Sequence, residues 1–139
     1  MRKIIIASHH KMASGLKDTL EFITGEQRSV VAIDAYLENE VLDDTLKDIF
    51  TEKSIDDEYI IFTDLKAGSV NQAFIKYLEL PHVLLFTGMN LPIVLSVLLS
   101  PVDEYLEKEK IQHYIEEAQQ EIVFMNAELT KLEEDDDDE

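Results

Sequence analysis

The sequence has no cysteine, and among its 139 residues only three are proline and four are glycine. The absence of thiols excludes disulfides and zinc sites that need thiolate ligands, and the small number of glycines and prolines excludes a collagen-like chain. A hydrophobic share of 45% and a mean hydropathy of −0.12 are typical of a single domain that buries its own core. The composition also fits a reducing cytoplasm, where we expect the protein to act.

Basic residues are scarce as well, since 12 Lys and Arg stand against 30 Asp and Glu, and the formal net charge is −18. A chain with this charge repels polyanions, so nucleic acid is not an expected partner. Seven acidic residues are consecutive, from Glu133 to Glu139, and the rest of the chain still has 23 acidic against 12 basic residues, a net −11. We expect residues 1–126 to form the folded domain and residues 127–139 to be an acidic, solvated tail.

Long apolar runs are also absent. The longest candidate, Leu91–Leu99, is interrupted by Pro92 and Ser96, so it falls short of the ~18 consecutive apolar residues of a membrane-spanning helix. The apolar run at the amino terminus stops at Ser8, before the ~7 residues of a signal-peptide core. That run is better interpreted as a buried strand.

Four short runs of apolar, β-branched or aromatic residues recur along the chain, and they begin 26, 29 and 24 residues apart. None of them alternates apolar with polar residues, so both faces of each strand should be covered, as in a parallel sheet between two helical layers. The four predicted strands are Ile4–Ala7, Val30–Ile33, Tyr59–Phe62 and Val83–Phe86.

Each gap between these runs contains a helix-length amphipathic segment. The first has apolar residues at positions 13, 16, 20 and 23 and ends at Gly25, which can adopt the left-handed conformation of a helix end. The next three helices are predicted at residues 41–50, at Ser69–Leu80 and at Pro92–Leu99. Right-handed crossovers then give a doubly wound α/β fold, with a mainly parallel four-stranded sheet and helices on both faces.

The segment after the fourth helix is less regular. A fifth helix is predicted over Val102–Gln120, although its apolar stripe is ragged. It is followed by one more short apolar run, Ile122–Met125. We interpret this run either as a carboxyl-terminal edge strand or as a continuation of the fifth helix.

Residues that could take part in catalysis or binding directly follow the predicted strands. Ser8, His9 and His10 follow the first, Asp34 the second, Asp64 the third, and Gly88-Met89-Asn90 the fourth. Because the carboxyl ends of parallel strands meet at one edge of the sheet, we expect these residues to converge in one crevice. This convergence is the most informative feature of the sequence.

A histidine beside an aspartate at such an edge can be held in one tautomer, with the carboxylate accepting Nδ1–H and Nε2 left as a free lone pair. His9 would then act as a base, a metal ligand or a nucleophile. The turn from Asp64 to Ser69 leads into a helix start, where backbone N–H groups and a hydroxyl can hold an anion, and this favours phosphoryl chemistry. A metal site is not expected, because adjacent His9 and His10 point in different directions and no third ligand follows at a useful spacing.

The motifs at these strand ends resemble a known family. They are Ile4-Ile5-Ile6-Ala7-Ser8-His9, Ala32-Ile33-Asp34, Ile61-Phe62-Thr63-Asp64 with Gly68-Ser69 and Asn71, and Thr87-Gly88-Met89-Asn90-Leu91-Pro92. Over about residues 3–126 the chain resembles the enzyme IIA component of the bacterial sugar phosphotransferase system, mannose/fructose/sorbose class. The last motif is the most specific of the four.

The resemblance implies a phosphotransferase with a phosphohistidine intermediate and no cofactor. His9 matches the residue that takes a phosphoryl group from the phosphocarrier HPr and passes it to a IIB component during sugar uptake. Asp64 matches the carboxylate that orients the imidazole, and Ser69, with Gly68 before it, matches the group that contacts the phosphoryl oxygens. Asp34 and Asn90 match positions that line the same edge.

The resemblance also implies a cytoplasmic homodimer that exchanges a carboxyl-terminal strand, here Ile122–Met125, and that meets the membrane only through the IIC and IID transporter components. The sequence departs from the family pattern in the loop after Asp64, where Leu65-Lys66-Ala67-Gly68 replaces an aromatic residue and paired glycines. This change leaves the loop conformation open at this stage, although Lys66 adds a positive charge.

Two other functions stay open from the sequence. The phosphotransfer subunit of dihydroxyacetone kinases has the same kind of fold and a similar early Ser-His motif, and it would also use His9. A flavodoxin-like binding domain without covalent chemistry is the third alternative. Such a domain would acquire no acid-labile phosphate.

Overall fold

The fold is a four-stranded, fully parallel sheet between two layers of helices, in a computed structural model that describes residues 1–137. The strands are β1 (Arg2–His9), β2 (Val30–Ala35), β3 (Glu58–Thr63) and β4 (Val83–Phe86), in the spatial order β2-β1-β3-β4. The helices are α1 (Met12–Thr24), α2 (Leu42–Thr51), α3 (Ser69–Phe74) with a 3₁₀ extension (Ile75–Glu79), α4 (Leu91–Leu98), α5 (Lys108–Gln120) and α6 (Met125–Asp137). The predicted doubly wound α/β fold is confirmed.

The core lies on both faces of the sheet, because consecutive strand residues point to opposite sides. Ile4, Ile6 and Phe62 pack on one face beneath α1, α4 and α5. Ile5 and Ile61 pack on the other face beneath α2 and α3. All five are at most 1% exposed, which is why the strands appear in the sequence as unbroken apolar runs.

The first four predicted helices exist, with differences at their ends. Gly25 follows α1 as predicted, but its φ of 87° and ψ of 176° differ from the left-handed helical conformation expected there, and the positive φ still favours glycine. The third helix changes to 3₁₀ geometry after Phe74, and Leu80 is extended because the residue before Pro81 is sterically driven out of the helical region.

The fifth helix begins at Lys108 rather than at Val102. The reason is that residues 100–106 are hydrogen-bonded to the buried side chains of Arg2 and Glu58. The Arg2 guanidinium donates to Glu58 Oε1 at 2.6 Å, to Ser100 Oγ at 2.9 Å and to the Glu104 carbonyl at 2.7 Å. Glu58 Oε2 accepts the Leu106 N–H at 2.8 Å. These bonds compete with helical hydrogen bonding in residues 100–106.

The predicted edge strand at Ile122–Met125 is absent from the described part of the chain, and the run does not continue α5 either. Ile122–Phe124 connect α5 to α6 without regular structure, with Ile122 80% and Phe124 72% exposed. A strand needs a neighbouring backbone for its hydrogen bonds, and this segment pairs with no edge within its own chain. The strong helix formers that follow Met125 favour helix instead.

The segment expected to be an acidic, solvated tail is therefore mostly helical, although its side chains are exposed from Met125 to Asp136. Of the acidic run Glu133–Glu139, residues 138 and 139 lie outside the described residues. The division of the chain at residue 126 stays a prediction. No helix among residues 1–137 is both long and apolar enough to cross a membrane.

Candidate active site

His9 and Asp64 meet at the carboxyl edge of the sheet, where β1 and β3 end side by side. The register pairs Ala7 with Thr63, so the residues that follow lie together. Asp64 Oδ2 accepts the His9 backbone N–H at 2.9 Å and lies 2.8 Å from His9 Nδ1. Asp64 Oδ1 accepts the Leu65 N–H at 2.9 Å. The predicted convergence of this histidine and this aspartate is present in the structure.

These contacts decide the ionisation of Asp64. Burial by itself raises the pKa of this carboxyl. Hydrogen bonds from the His9 N–H, the His9 imidazole and the Leu65 N–H lower the pKa by more than burial raises it, so it lies below its ordinary value. An ionised carboxylate can only accept hydrogen bonds. Nδ1 of His9 therefore carries the ring proton, and Nε2 keeps its lone pair.

The imidazole is wedged against Gly68. A Cβ at position 68 would lie 3.0 Å from His9 Cε1 and 3.2 Å from both Cβ and the carbonyl oxygen of Leu65. The φ and ψ of Gly68 are −74° and 153°, which any residue can adopt. Glycine is thus needed here for space rather than for its backbone freedom.

Tyr36 lines one side of the site, and the sequence analysis did not predict this residue. It follows the end of β2, its ring centroid lies 5.5 Å from that of His9, and its hydroxyl is 2.5 Å from Ser69 Oγ. Its φ of 64° is unusual for a residue other than glycine. The available signal was its position, two residues after Asp34 at the predicted edge.

The loop from Asp64 to Ser69 is braced without the second glycine of the family pattern. The Gly68 N–H donates to the Leu65 carbonyl at 3.1 Å, and Asn71 Nδ2 donates to the Lys66 carbonyl at 3.0 Å. Asn71 Oδ1 in turn accepts from the buried hydroxyl of Thr63 at 2.8 Å. No residue from 64 to 69 has a positive φ, so the loop has no position that requires another glycine.

Asp34 and Asn90, which were predicted to line the site, are bonded to helix ends at the same edge. Asp34 Oδ1 accepts the Ser14 N–H at 2.9 Å, in the first turn of α1. Asn90 Oδ1 accepts the Ile93 N–H and its Nδ2 donates to the Ala118 carbonyl, both at 3.0 Å. These two side chains thus hold α1, α4 and α5 in place.

Ser8 and His10 flank the candidate histidine. Ser8 is buried, and its Oγ accepts the Ala13 N–H at 2.7 Å at the start of α1. His10 is exposed, with a φ of 56°. Within residues 1–137, no group of three or more His, Asp or Glu side chains is arranged to hold a metal ion.

Comparison with known proteins identifies the family. Residues 3–115 match the sequence model of the family described as PTS system fructose IIA component, where PTS stands for phosphotransferase system. A structure from Klebsiella pneumoniae, assigned as a permease of the phosphoenolpyruvate-dependent sugar phosphotransferase system, is similar with 34% identity and a TM-score of 0.84. The alignment covers 92% of this chain and 93% of that one.

Two further structures are similar over most of their length. The PTS IIA protein associated with the fucose utilization operon of Streptococcus pneumoniae is 27% identical, with a TM-score of 0.75 and coverage of 92% of this chain and 96% of that one. The mannose/sorbose specific IIA subunit of Enterococcus faecalis, at 22% identity, supports the fold, with a TM-score of 0.71 over 88% of this chain and 92% of that one. The chain belongs to the mannose/fructose-type enzyme IIA family and is a IIA component of the sugar phosphotransferase system.

Proposed function

We propose that His9 accepts a phosphoryl group from HPr and passes it to a IIB component during sugar uptake. The observation that carries this proposal is the double contact of His9 with Asp64 Oδ2, through the backbone N–H and through Nδ1. It leaves Nε2 as the free lone pair of a ring whose side chain is 37% exposed. Membership of the sugar-system family favours this role over that of a dihydroxyacetone kinase subunit.

The bond-forming step takes place at the His9 imidazole, which is in contact with Asp64. The Nε2 lone pair of His9 forms the new N–P bond while the bond from phosphorus to the donor breaks, and the donor leaves with that electron pair. Nδ1 keeps its proton throughout. The positive charge that the ring gains is balanced by the Asp64 carboxylate 2.8 Å away, so Asp64 acts by fixing the tautomer and by stabilising the charge.

Gly68 and Ser69 are assigned to the phosphoryl group. Gly68 lies against His9 Cε1, the ring carbon bonded to Nε2, so its backbone borders the space that a phosphoryl group on Nε2 would fill. Ser69 is exposed and begins α3. Its hydroxyl is a donor for a phosphoryl oxygen. Asp34 and Asn90 support the site indirectly, through the helix ends to which they are bonded.

The decisive test is phosphorylation by purified components. The protein is incubated with phosphoenolpyruvate, enzyme I and HPr, and the product is expected to be acid-labile and base-stable, as a phosphoramidate is and a phosphoserine is not. His9→Ala should abolish this product. His10→Ala is the matched control, because it removes the adjacent, exposed imidazole, and it should retain phosphorylation with a modest loss of rate at most. Phosphate mapped to His10 or Ser69, or no acid-labile phosphate at all as in a flavodoxin-like binding domain, would contradict the proposal.

We further propose that the protein works in the cytoplasm as a homodimer in which Ile122–Met125 pairs with the β4 edge of a second copy. β4 is an edge strand, and Leu84 and Leu85 on it are only partly buried. An apolar groove of about 420 Å³ runs beside it, lined by residues that include Phe86, Ile115 and Ile122. An open edge beside an exposed apolar run is a site for strand addition.

A further inference from the structure

We propose that Tyr36 is a positioning residue of the phosphotransfer site, which directs the Ser69 hydroxyl proton toward the phosphoryl group. The inference rests on the proposed phosphorylation of His9. Its basis is the contact between the two hydroxyl oxygens at 2.5 Å, together with the ring of Tyr36 5.5 Å from that of His9.

The placement of Tyr36 is unusual for an exposed side chain. Tyr36 is 57% exposed, so burial of its ring does not account for its position. Its φ of 64° is a left-handed conformation that costs a non-glycine residue free energy. Residues held in such conformations cluster at functional sites, and here the conformation accompanies the contact with Ser69.

The direction of the hydrogen bond determines what Ser69 can do. A serine hydroxyl has one proton to donate and two lone pairs that accept. If the Tyr36 phenol donates to Ser69 Oγ, the single proton of Ser69 stays free for a phosphoryl oxygen. If Ser69 donates to Tyr36 instead, that proton is already used, and Tyr36 competes with the phosphoryl group.

The first arrangement fits the other contacts of the site. His9 offers Nε2 as an acceptor only, so a donor to the phosphoryl oxygens must come from elsewhere. Ser69 is the hydroxyl that Tyr36 contacts, while the ring of Tyr36 lies 5.5 Å from that of His9. A chain of hydrogen bonds from Tyr36 through Ser69 to the phosphoryl group also polarises each member toward the anion.

The test is Tyr36→Phe, which keeps the ring beside His9 and removes only the hydroxyl. Tyr105→Phe is the matched control, because Tyr105 is 45% exposed and its hydroxyl donates to the Asp56 carbonyl at 2.8 Å, outside the candidate site. Both variants are measured in the full chain by single-turnover transfer from phosphorylated HPr. We expect Tyr36→Phe to lower the maximal rate about fivefold without changing the HPr concentration at half-saturation, and Tyr105→Phe to change neither.

The double variant separates positioning from a general structural effect. In the Ser69→Ala background, Tyr36→Phe should cause no further loss, because the hydroxyl that it orients is gone. The inference is overturned if Tyr36→Phe transfers as fast as Tyr105→Phe or faster. It is also overturned if Tyr36→Phe still causes the full fivefold loss in the Ser69→Ala background. If the wild-type chain phosphorylates normally on His9 in these cases, the proposed function stands and only the role of Tyr36 falls. A wild-type chain that takes up no phosphoryl group overturns both.

Discussion

Replacing Gly68 by alanine should impair phosphotransfer without weakening the fold. The added Cβ would lie 3.0 Å from His9 Cε1, whereas carbon atoms in contact prefer about 3.5–4.0 Å. The ring must therefore move by a few tenths of an ångström, because on the other side the same Cβ meets Leu65, including its backbone carbonyl, at 3.2 Å. Such a movement stretches the 2.8 Å contact between Nδ1 and Asp64.

The magnitude follows from that contact. A hydrogen bond to a charged group contributes about 1.5–3 kcal/mol. Its complete loss would lower the rate of phosphoryl uptake about 10- to 150-fold. The free energy of unfolding should change much less, because the backbone angles of Gly68 suit alanine. Alanine also lowers the conformational entropy of the unfolded chain, which stabilises the folded protein by about 0.4–1 kcal/mol.

Gly15→Ala is the matched control. Gly15 lies within α1, and a Cβ there would meet nothing within 4 Å. We expect this variant to be more stable by about 0.5–1 kcal/mol and to transfer phosphoryl groups at the wild-type rate. Uptake is measured by single-turnover transfer from phosphorylated HPr, stability by urea denaturation, and the His9 tautomer by ¹⁵N chemical shifts. A Gly68→Ala chain that transfers within twofold of the wild-type rate would refute the steric reasoning.

Three further predictions concern the carboxylate, the amino-terminal ion pair and the carboxyl terminus. Asp64→Asn should slow uptake while leaving the fold intact, as measured by transfer rate and circular dichroism. Because the pKa of Asp64 is lower in the folded than in the unfolded chain, the ionised carboxylate stabilises the fold. This stabilisation should be complete above the unfolded-state pKa of about 3.9 and should fade as the pH falls through the folded-state pKa. The difference in unfolding free energy between wild type and Asp64→Asn, measured by urea denaturation, should therefore disappear at acidic pH. Arg2→Met should cost about 3–5 kcal/mol in the same assay, because it leaves Glu58 as a buried unpaired charge, whereas the double variant with Glu58→Gln should recover part of this loss. Truncation after Gln120 should shift the protein toward monomer in analytical ultracentrifugation, and a truncated chain as dimeric as the full one would exclude strand exchange.

The sheet was predictable from the sequence because its strands are buried on both faces. Runs such as Ile4–Ala7 have no polar residue to interrupt them, and the burial that selects them also fixes their place between helices. Since every strand is parallel, the carboxyl ends are known once the strands are, and His9 and Asp64 are thereby brought to one edge. The arrival of these residues at one edge thus follows from local patterns, whereas the contact between His9 and Asp64 also requires β1 to lie beside β3.

The carboxyl-terminal run was mispredicted for the single chain because it reaches no strand edge of its own sheet. Ile122–Phe124 have the composition of a strand, but composition states only that these side chains would fit a pleated, half-buried surface. Within one chain they reach no sheet edge, and the strong helix formers from Met125 onward decide the local structure. The start of α5 was mispredicted for a related reason, since Arg2, more than a hundred residues away in sequence, sets it through the Glu104 carbonyl.

Tyr36 and the spatial role of Gly68 depend on contacts between loops, and loops carry no periodic pattern. Gly68 could be assigned to phosphoryl binding by resemblance, but the reason for a glycine appears only in the 3.0 Å approach of its missing Cβ to His9. Tyr36 is an exposed aromatic residue after a strand, and on sequence alone such a residue is unremarkable. Only the structure shows its left-handed backbone and the contact of its hydroxyl with Ser69, which follows a different strand. In this fold the strand pattern determines which residues reach the edge, and the loop conformations determine how their polar atoms face one another.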